Sequence, residues 1–294
     1  MISETKGESN MGTNHSEHCE RLAAKLIEAM ETADGNWVRP WAGDGIPRNA
    51  ATGKAYNGGN ALWLMLQGRP GPWATYKQFS AIGGQVRKGE KSTAILLPLF
   101  KKDDDGEQKM IGFRGAAVFS YDQQDGWVKP LTGAGDSPID AAEAFFAAQG
   151  VSTLIGGDRA CYSPTSDAIT VPPIGDFVSA DAYYGTLAHE HVHATSHDSR
   201  VGRKVSTTFG STEYAFEELV AEMGSAFCLA HLGLNAEPRP DHAQYLKNWV
   251  RGLHDDPKAA WNAAKLATVA FSYMAHKAGS VVDGPKIVDF DTAA

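Results

Sequence analysis

The chain has 294 residues, 43% of them hydrophobic and 21% charged, with a net charge of −8. That is the make-up of a soluble globular protein long enough for two domains. No apolar run approaches the ~20 residues that a membrane helix needs, and the polar stretch MISETKGESNMGTNHSEHCE has no apolar signal core, so secretion is not expected. Cys19, Cys161 and Cys228 are odd in number and far apart. They exclude a disulfide framework and a Cys-ligated zinc site and point to a reducing compartment, the cytoplasm.

In chain order, residues 1 to about 16 read as a disordered leader. Leu22, Leu26, Ile27 and Met30 then recur at helical spacing, with Gly35 as a stop. From Asn36 to about Gln85 the chain is rich in Gly, Pro and aromatics and carries two short helix candidates, NALWLMLQG and TYKQFSAIGG. STAILLPLF and FRGAAVFSY read as strands on either side of the charged turn KKDDDGEQK. DGWVKPLTGAGDSPID is dense in Gly, Pro and Asp and reads as a linker around residues 129–138. Beyond it, AAEAFFAAQG reads as a helix and ACYSPTSDAITVPP as a hairpin. Two strong helices follow, AYYGTLAHEHVHATSH and TEYAFEELVAEMGSAFCLAHLGL, and one or two more span Ala243 to Lys277. The hairpin offers an edge strand on which an extended peptide could pair.

Charge is unevenly distributed. Between Gly35 and Phe100 eight Lys/Arg stand against Asp44 and Glu90, a window of +6 that leaves −14 elsewhere. Cations and aromatics interleave here: Arg39, Trp41, Arg48, Lys54, Tyr56, Trp73, Tyr76, Lys77, Arg87, Lys88 and Lys91. Single strands are held in this way, phosphates by Lys/Arg and bases by aromatic faces. No recognition helix or ribbon for a duplex groove stands out. Each aromatic taken singly could instead be a core residue; the region as a whole points to single-stranded nucleic acid.

The segment from Thr186 to Arg200 holds four histidines, and His189-Glu190-His191-Val192-His193 fits H-E-x-x-H. Helical residues four apart lie about 40° apart around the axis, so His189 and His193 can face one ion. Glu190 can reach a water beside that ion as general base. His191 points about 200° from His189, and His197 lies about 12 Å further along the axis, so neither shares the ion. The third ligand is sought on the next helix, where Glu218 and Glu222 sit one turn apart among apolar residues. Glu218 is the preferred ligand, with Glu222 orienting a ligating histidine; Glu222 is its rival. A buried carboxylate wants a cation. Two imidazoles and a carboxylate suit zinc, and nitrogen–oxygen sets also accept manganese or another divalent ion. Tyr214, Tyr183 and Tyr184 are candidates for stabilising an oxyanion.

These residues together resemble the ArdC-type antirestriction proteins of conjugative plasmids. In the first half the resemblance runs through RPW, NAATGKAYNGGNALWL, PWATYKQ, GGQVRKGEKST and AAVFSYDQQDG. In the second half it runs through YSPTSDAITVP, YYGTLAHEHVHATSH, YAFEELVAE and YLKNWV. The resemblance implies an α+β protein: a small N-terminal α+β domain binding single-stranded DNA (17–128), then a mainly helical zincin-like metallopeptidase domain with a short sheet (139–294). It implies protection of plasmid DNA, which enters a recipient as a single strand, from host restriction. Carried over, His189, Glu190 and His193 fill the motif, and the EELVAE segment supplies the acidic ligand. The family commonly has an aliphatic residue where His191 stands and glycine where Ser196 stands; neither touches an expected ligand. The expected partners are single-stranded DNA and, for a peptidase half, a protein substrate such as a restriction-system component. Two readings compete: a metallopeptidase whose basic domain recruits an acidic protein, and a DNA-protecting binder with a vestigial metal site.

Overall fold

The structure, a computed structural model, describes residues 15–32, 45–102, 107–129, 137–205, 211–235 and 242–280, without side chains for 242–247. Most of the expected leader and linker, and Arg39 and Trp41, lie outside the described residues. The first half comprises α1 (His15–Glu31), α2 (Gly58–Met65), β1 (Trp73–Ala74), α3 (Tyr76–Ala81), β2 (Gln85–Val86), β3 (Thr93–Lys102), β4 (Gln108–Ser120) and β5 (Gln124–Asp125). The second comprises α4 (Pro138–Ala147), β6 (Ser152–Ile155), β7 (Cys161–Ser163), β8 (Ala168–Val171), α5 (Ala180–Ala194), α6 (Thr212–Leu232), α7 (His242–Asp255) and α8 (Lys258–Lys277). The chain is thus an α+β protein with small sheets and a mainly helical second half. Among the described residues no helix is long and apolar enough to cross a membrane, and the three cysteines form no disulfide.

The sheets are local. β4 pairs antiparallel with β1 and β3, and β2 with β5, while β8 lies between β6 in parallel and β7 in antiparallel. Two sequence expectations need correction. The β3–β4 ribbon runs past the apolar stretches to the pairs Lys101↔Lys109 and Lys102↔Gln108, because backbone pairing continues without apolar side chains once the strands are in register. β6 escaped notice because a parallel pair has no adjoining turn to announce it, and all four of its residues are exposed.

The principal core crosses from one half to the other. Leu22, Leu26 and Met30 of α1 and Leu62 and Trp63 of α2 share one cluster with Val192 of α5, Phe227 of α6 and Phe271 of α8. Apolar residues at helical spacing on α1 therefore bury against helices more than two hundred residues away. The approach of α2 to α8 requires Gly59, where a Cβ would lie 2.0 Å from the Trp261 ring. A separate small cluster of Leu64, Trp73, Ile95 and Val118 lies beneath the β1–β4–β3 sheet. α6 is buried all round from Ala215 to Leu229 apart from half-buried Phe216, as expected of a helix at the centre of a bundle.

Candidate metal centre

α5 and α6 position the site. Ser179 caps α5 by accepting the Ala182 N–H at 3.0 Å, and Ser211 caps α6 by accepting that of Tyr214 at 3.0 Å. The other end of α5 is held by two arginines. Arg200 Nε donates to the Ala194 carbonyl at 2.6 Å, and Arg203 Nη2 donates to the Val192 carbonyl at 2.9 Å. Cations here satisfy open carbonyls and the helix dipole together. α5 and α6 touch where Gly224 meets Val192: a Cβ on Gly224 would stand 2.8 Å from Val192 Cγ2. This close approach sets the glutamates of α6 opposite the histidines of α5.

His189, His193 and Glu218 each offer a ligand atom, all within 4.8 Å of one another. The two Nε2 atoms are 3.0 Å apart; His189 Nε2 lies 3.4 Å, and His193 Nε2 3.5 Å, from Glu218 oxygens. The other ring nitrogens are engaged by carboxylates. His189 Nδ1 is 2.8 Å from Glu222 Oε1, and His193 Nδ1 is 3.2 Å from Glu217 Oε1. With both rings neutral and protonated at Nδ1, the two Nε2 lone pairs aim, with a carboxylate oxygen, at one point. Three such acceptors repel one another unless a cation sits between them. Ligands about 2.1 Å from a tetrahedral ion lie about 3.4 Å apart, so the donor set fits a divalent metal. Glu222 lies behind His189 and outside the cluster of three.

Glu217 and Arg203 carry a part that no sequence motif announced. Arg203 reaches Glu217 with Nη2 at 2.6 Å and Nε at 3.2 Å, and donates to Thr195 Oγ1 at 2.6 Å. Burial alone would raise the Glu217 carboxyl, but hydrogen bonding from His193 and the charge of Arg203 hold it below its usual value. Burial would likewise raise Glu218, yet bonding to His189, the charges of both histidines and a hydrogen bond from Tyr214 bring it down to about 2. Glu217 adjoins the motif and could have been suspected. Arg203 follows the helix in irregular chain, where spacing gives no signal.

The other singled-out residues divide clearly. Glu190 is buried at 5% exposure, and among the described residues none pairs with its carboxylate. His191 faces away: its Nδ1 donates to Leu187 O at 2.9 Å, its ring lies 5.0 Å from that of Phe146, and burial pushes its pKa down to about 4. His197 lies beyond the end of α5 with Nδ1 2.8 Å from Ser199 Oγ. The Tyr184 hydroxyl is committed to Glu143, and Tyr183 packs edge-on against Phe177 and Tyr184. Arg200 joins Asp167 and Tyr162, tying the β7–β8 hairpin to the end of α5.

In the basic region, Trp73 must be withdrawn as a stacking surface. At 1% exposure it is a core residue beside Leu64 and Ile95. Tyr56 is half-buried, with its hydroxyl bonded by Asn49. Tyr76 is 50% exposed, and its hydroxyl accepts from Gln85. Arg87 is exposed but spends its guanidinium on Glu90 and Asp125, each at 3.0 Å. Arg48, Lys54, Lys77, Lys88 and Lys91 are exposed.

An H-E-x-x-H helix facing a glutamate helix is the arrangement of zincin metallopeptidases, and residues 140–266 match the model of a zincin-like metallopeptidase family. Residues 16–126 match the N-terminal domain of the anti-restriction factor ArdC. The solved metal-free structure of antirestriction protein ArdC from the R388 plasmid is 36% identical, with a TM-score of 0.71 over 89% of this chain and 97% of that one. The Mn(II)-bound structure of the same protein is 35% identical, with a TM-score of 0.71 over 88% and 97%. An uncharacterised protein, y4eC, of Sinorhizobium fredii is 34% identical over 87% of this chain and 90% of that protein. A DNA primase TraC of Escherichia coli is 37% identical over 87% of this chain, which spans only 20% of that longer protein. The chain belongs to the ArdC-type antirestriction family.

Proposed function

We propose that the protein binds single-stranded DNA through its basic first half and shields plasmid DNA entering a recipient cytoplasm from restriction, while α5 and α6 hold a divalent metal in a peptidase centre. The observation that carries this reading is the convergence of His189, His193 and Glu218 in a chain whose first half matches the N-terminal domain of an anti-restriction factor. His189 and His193 bind through Nε2, with Glu222 and Glu217 fixing their tautomers. A divalent ion held there would supply Lewis acidity, polarising a carbonyl and acidifying water. Glu190, the acid of the motif, would serve as the general base and acid beside such an ion. Zinc is the first expectation, and the Mn(II) held by the solved relative makes manganese the alternative to measure.

Binding of the full chain to a labelled oligonucleotide tests the first half. Affinity for the single strand should exceed that for the duplex and fall steeply between low and moderate salt; equal affinity for both would sink the reading. Glu190→Ala and His193→Ala, assayed for plasmid protection, test the second half. Loss of protection with DNA binding intact would make peptide hydrolysis the protective activity. Full protection by both variants would make the metal site vestigial.

A further inference from the structure

A cavity of about 640 Å³ opens where the two halves of the chain meet, a size typical of small-ligand sites. Its floor is apolar, with buried Leu64 and Met65, and half-buried Trp127 stands at its wall. Exposed Arg48, Arg69 and Lys129 line it, and among the described residues no carboxylate does. Arg69 is paired at 2.8 Å with Asp122, outside the lining. Arg48 donates to the Gly53 carbonyl at 3.1 Å, and Lys129 has no ion-pair partner among the described residues. An apolar floor, an aromatic wall and a rim of cations match a flat base flanked by phosphates. They match an acidic peptide poorly, since little in the floor would pair with its amides.

The far wall belongs to the other half of the chain. Ala230 and His231, near the end of α6, line the cavity, and a Cβ on Gly45 would lie 3.3 Å from the Ala230 carbonyl. His231 is close enough to Arg48 that, after burial, its positive charge is the next cause lowering the imidazole pKa. The same helix carries Glu218 thirteen residues earlier, about 20 Å away at 1.5 Å per residue.

We propose that this cavity is a nucleotide subsite of the DNA interface, with a base against Trp127 and phosphates on Arg48, Arg69 and Lys129. This rests on the single-stranded-DNA reading above. It places the strand at the seam between the halves, in contact with the helix that bears the metal ligand, rather than spread over the exposed lysines of the basic region. Trp73, one of the aromatics that sequence offered for stacking, serves as framework beneath the site.

The test uses the full chain and a labelled oligothymidylate. Trp127→Ala should weaken binding roughly ten- to hundred-fold, as expected for a lost stacking surface. Lys129→Glu, a surface change that leaves packing intact, should weaken it and lower the slope of log affinity against log salt by about one or more. Arg159→Glu, exposed and outside the cavity lining, controls for net charge and should bind as the wild type does. An oligonucleotide bearing 5-iododeoxyuridine should photocrosslink to Trp127 in the wild type, independently of any variant's folding. Wild-type affinity in both Trp127→Ala and Lys129→Glu, or crosslinks mapping only to the exposed lysine surface, would overturn the site while leaving DNA binding intact. Failure of the wild type to bind any single strand would overturn the function, and the site with it.

Discussion

Arg203 spends all its nitrogens at once: on the carbonyl of Val192, on the hydroxyl of Thr195 and on both oxygens of Glu217. Glu217 in turn engages His193 Nδ1. The chain of contacts fixes which nitrogen of His193 faces the metal point, so Arg203 acts on the centre without touching it. Arg203→Met should lower Mn(II) or Zn(II) affinity about 10- to 100-fold by isothermal titration, the usual consequence of losing an outer partner of a ligating histidine. It should also cost about 3–5 kcal/mol of stability without metal, because the buried Glu217 loses its guanidinium partner. Unchanged affinity alongside reduced stability would show the pair to be framework only. Arg203→Lys should recover part of the stability, but less of the affinity, because an ammonium cannot reproduce the forked contacts.

At the scale of elements, the register of α5 against α6 decides the site. Gly224 and Val192 set the helix separation, and a methyl on Gly224 would overlap a stiff β-branched side chain. Gly224→Ala should destabilise by about 1–3 kcal/mol in denaturant titrations and weaken metal binding by moving Glu218 and Glu222 outward. Adding Val192→Ala should relieve much of that, giving a favourable coupling on the order of 1 kcal/mol in a double-mutant cycle. Simple additivity would show that the separation is set elsewhere. Arg200, Asp167 and Tyr162 tie the β7–β8 hairpin to the same helix end, so the small sheet and the metal helix hold each other in place.

At the scale of the molecule, the seam between the halves is a packed core. His18 sits in it at 0% exposure between Trp63 and Trp261, with ring centroids at 5.4 and 5.5 Å. Neither ring nitrogen has a partner among the described residues. Burial, with the nearby charges of Arg21 and His15, lowers its pKa from 6.5 to about 4. The folded state therefore excludes a proton that the unfolded chain takes up. Above pH 6.5 His18 makes no pH-dependent contribution. Between 6.5 and 4 stability falls with acidification, with a slope of up to about 1.4 kcal/mol per pH unit. Denaturant titrations at pH 7 and 5 should show this loss, and His18→Phe should reduce it while preserving stability at pH 7. Equal losses in both proteins would place the acid sensitivity elsewhere.

Short-range spacing in the sequence determined most of the helices and the face shared by His189 and His193, because helical geometry is local and repeats every 3.6 residues. Spacing also separated His191 and His197 from the ion, and it limited the third ligand to two glutamates. Tertiary structure decided what depends on contacts between distant segments: that Glu218 joins the histidine cluster while Glu222 stands behind His189, that Glu217 and Arg203 belong to the site, and that Trp73 is core. Alternation and charge show that an aromatic lies in a basic region but not which of its faces is covered, since covering comes from strands and helices far along the chain. The cavity at the seam is a product of that packing alone: its rim and floor come from the first half and its far wall from α6, and no local pattern joins them.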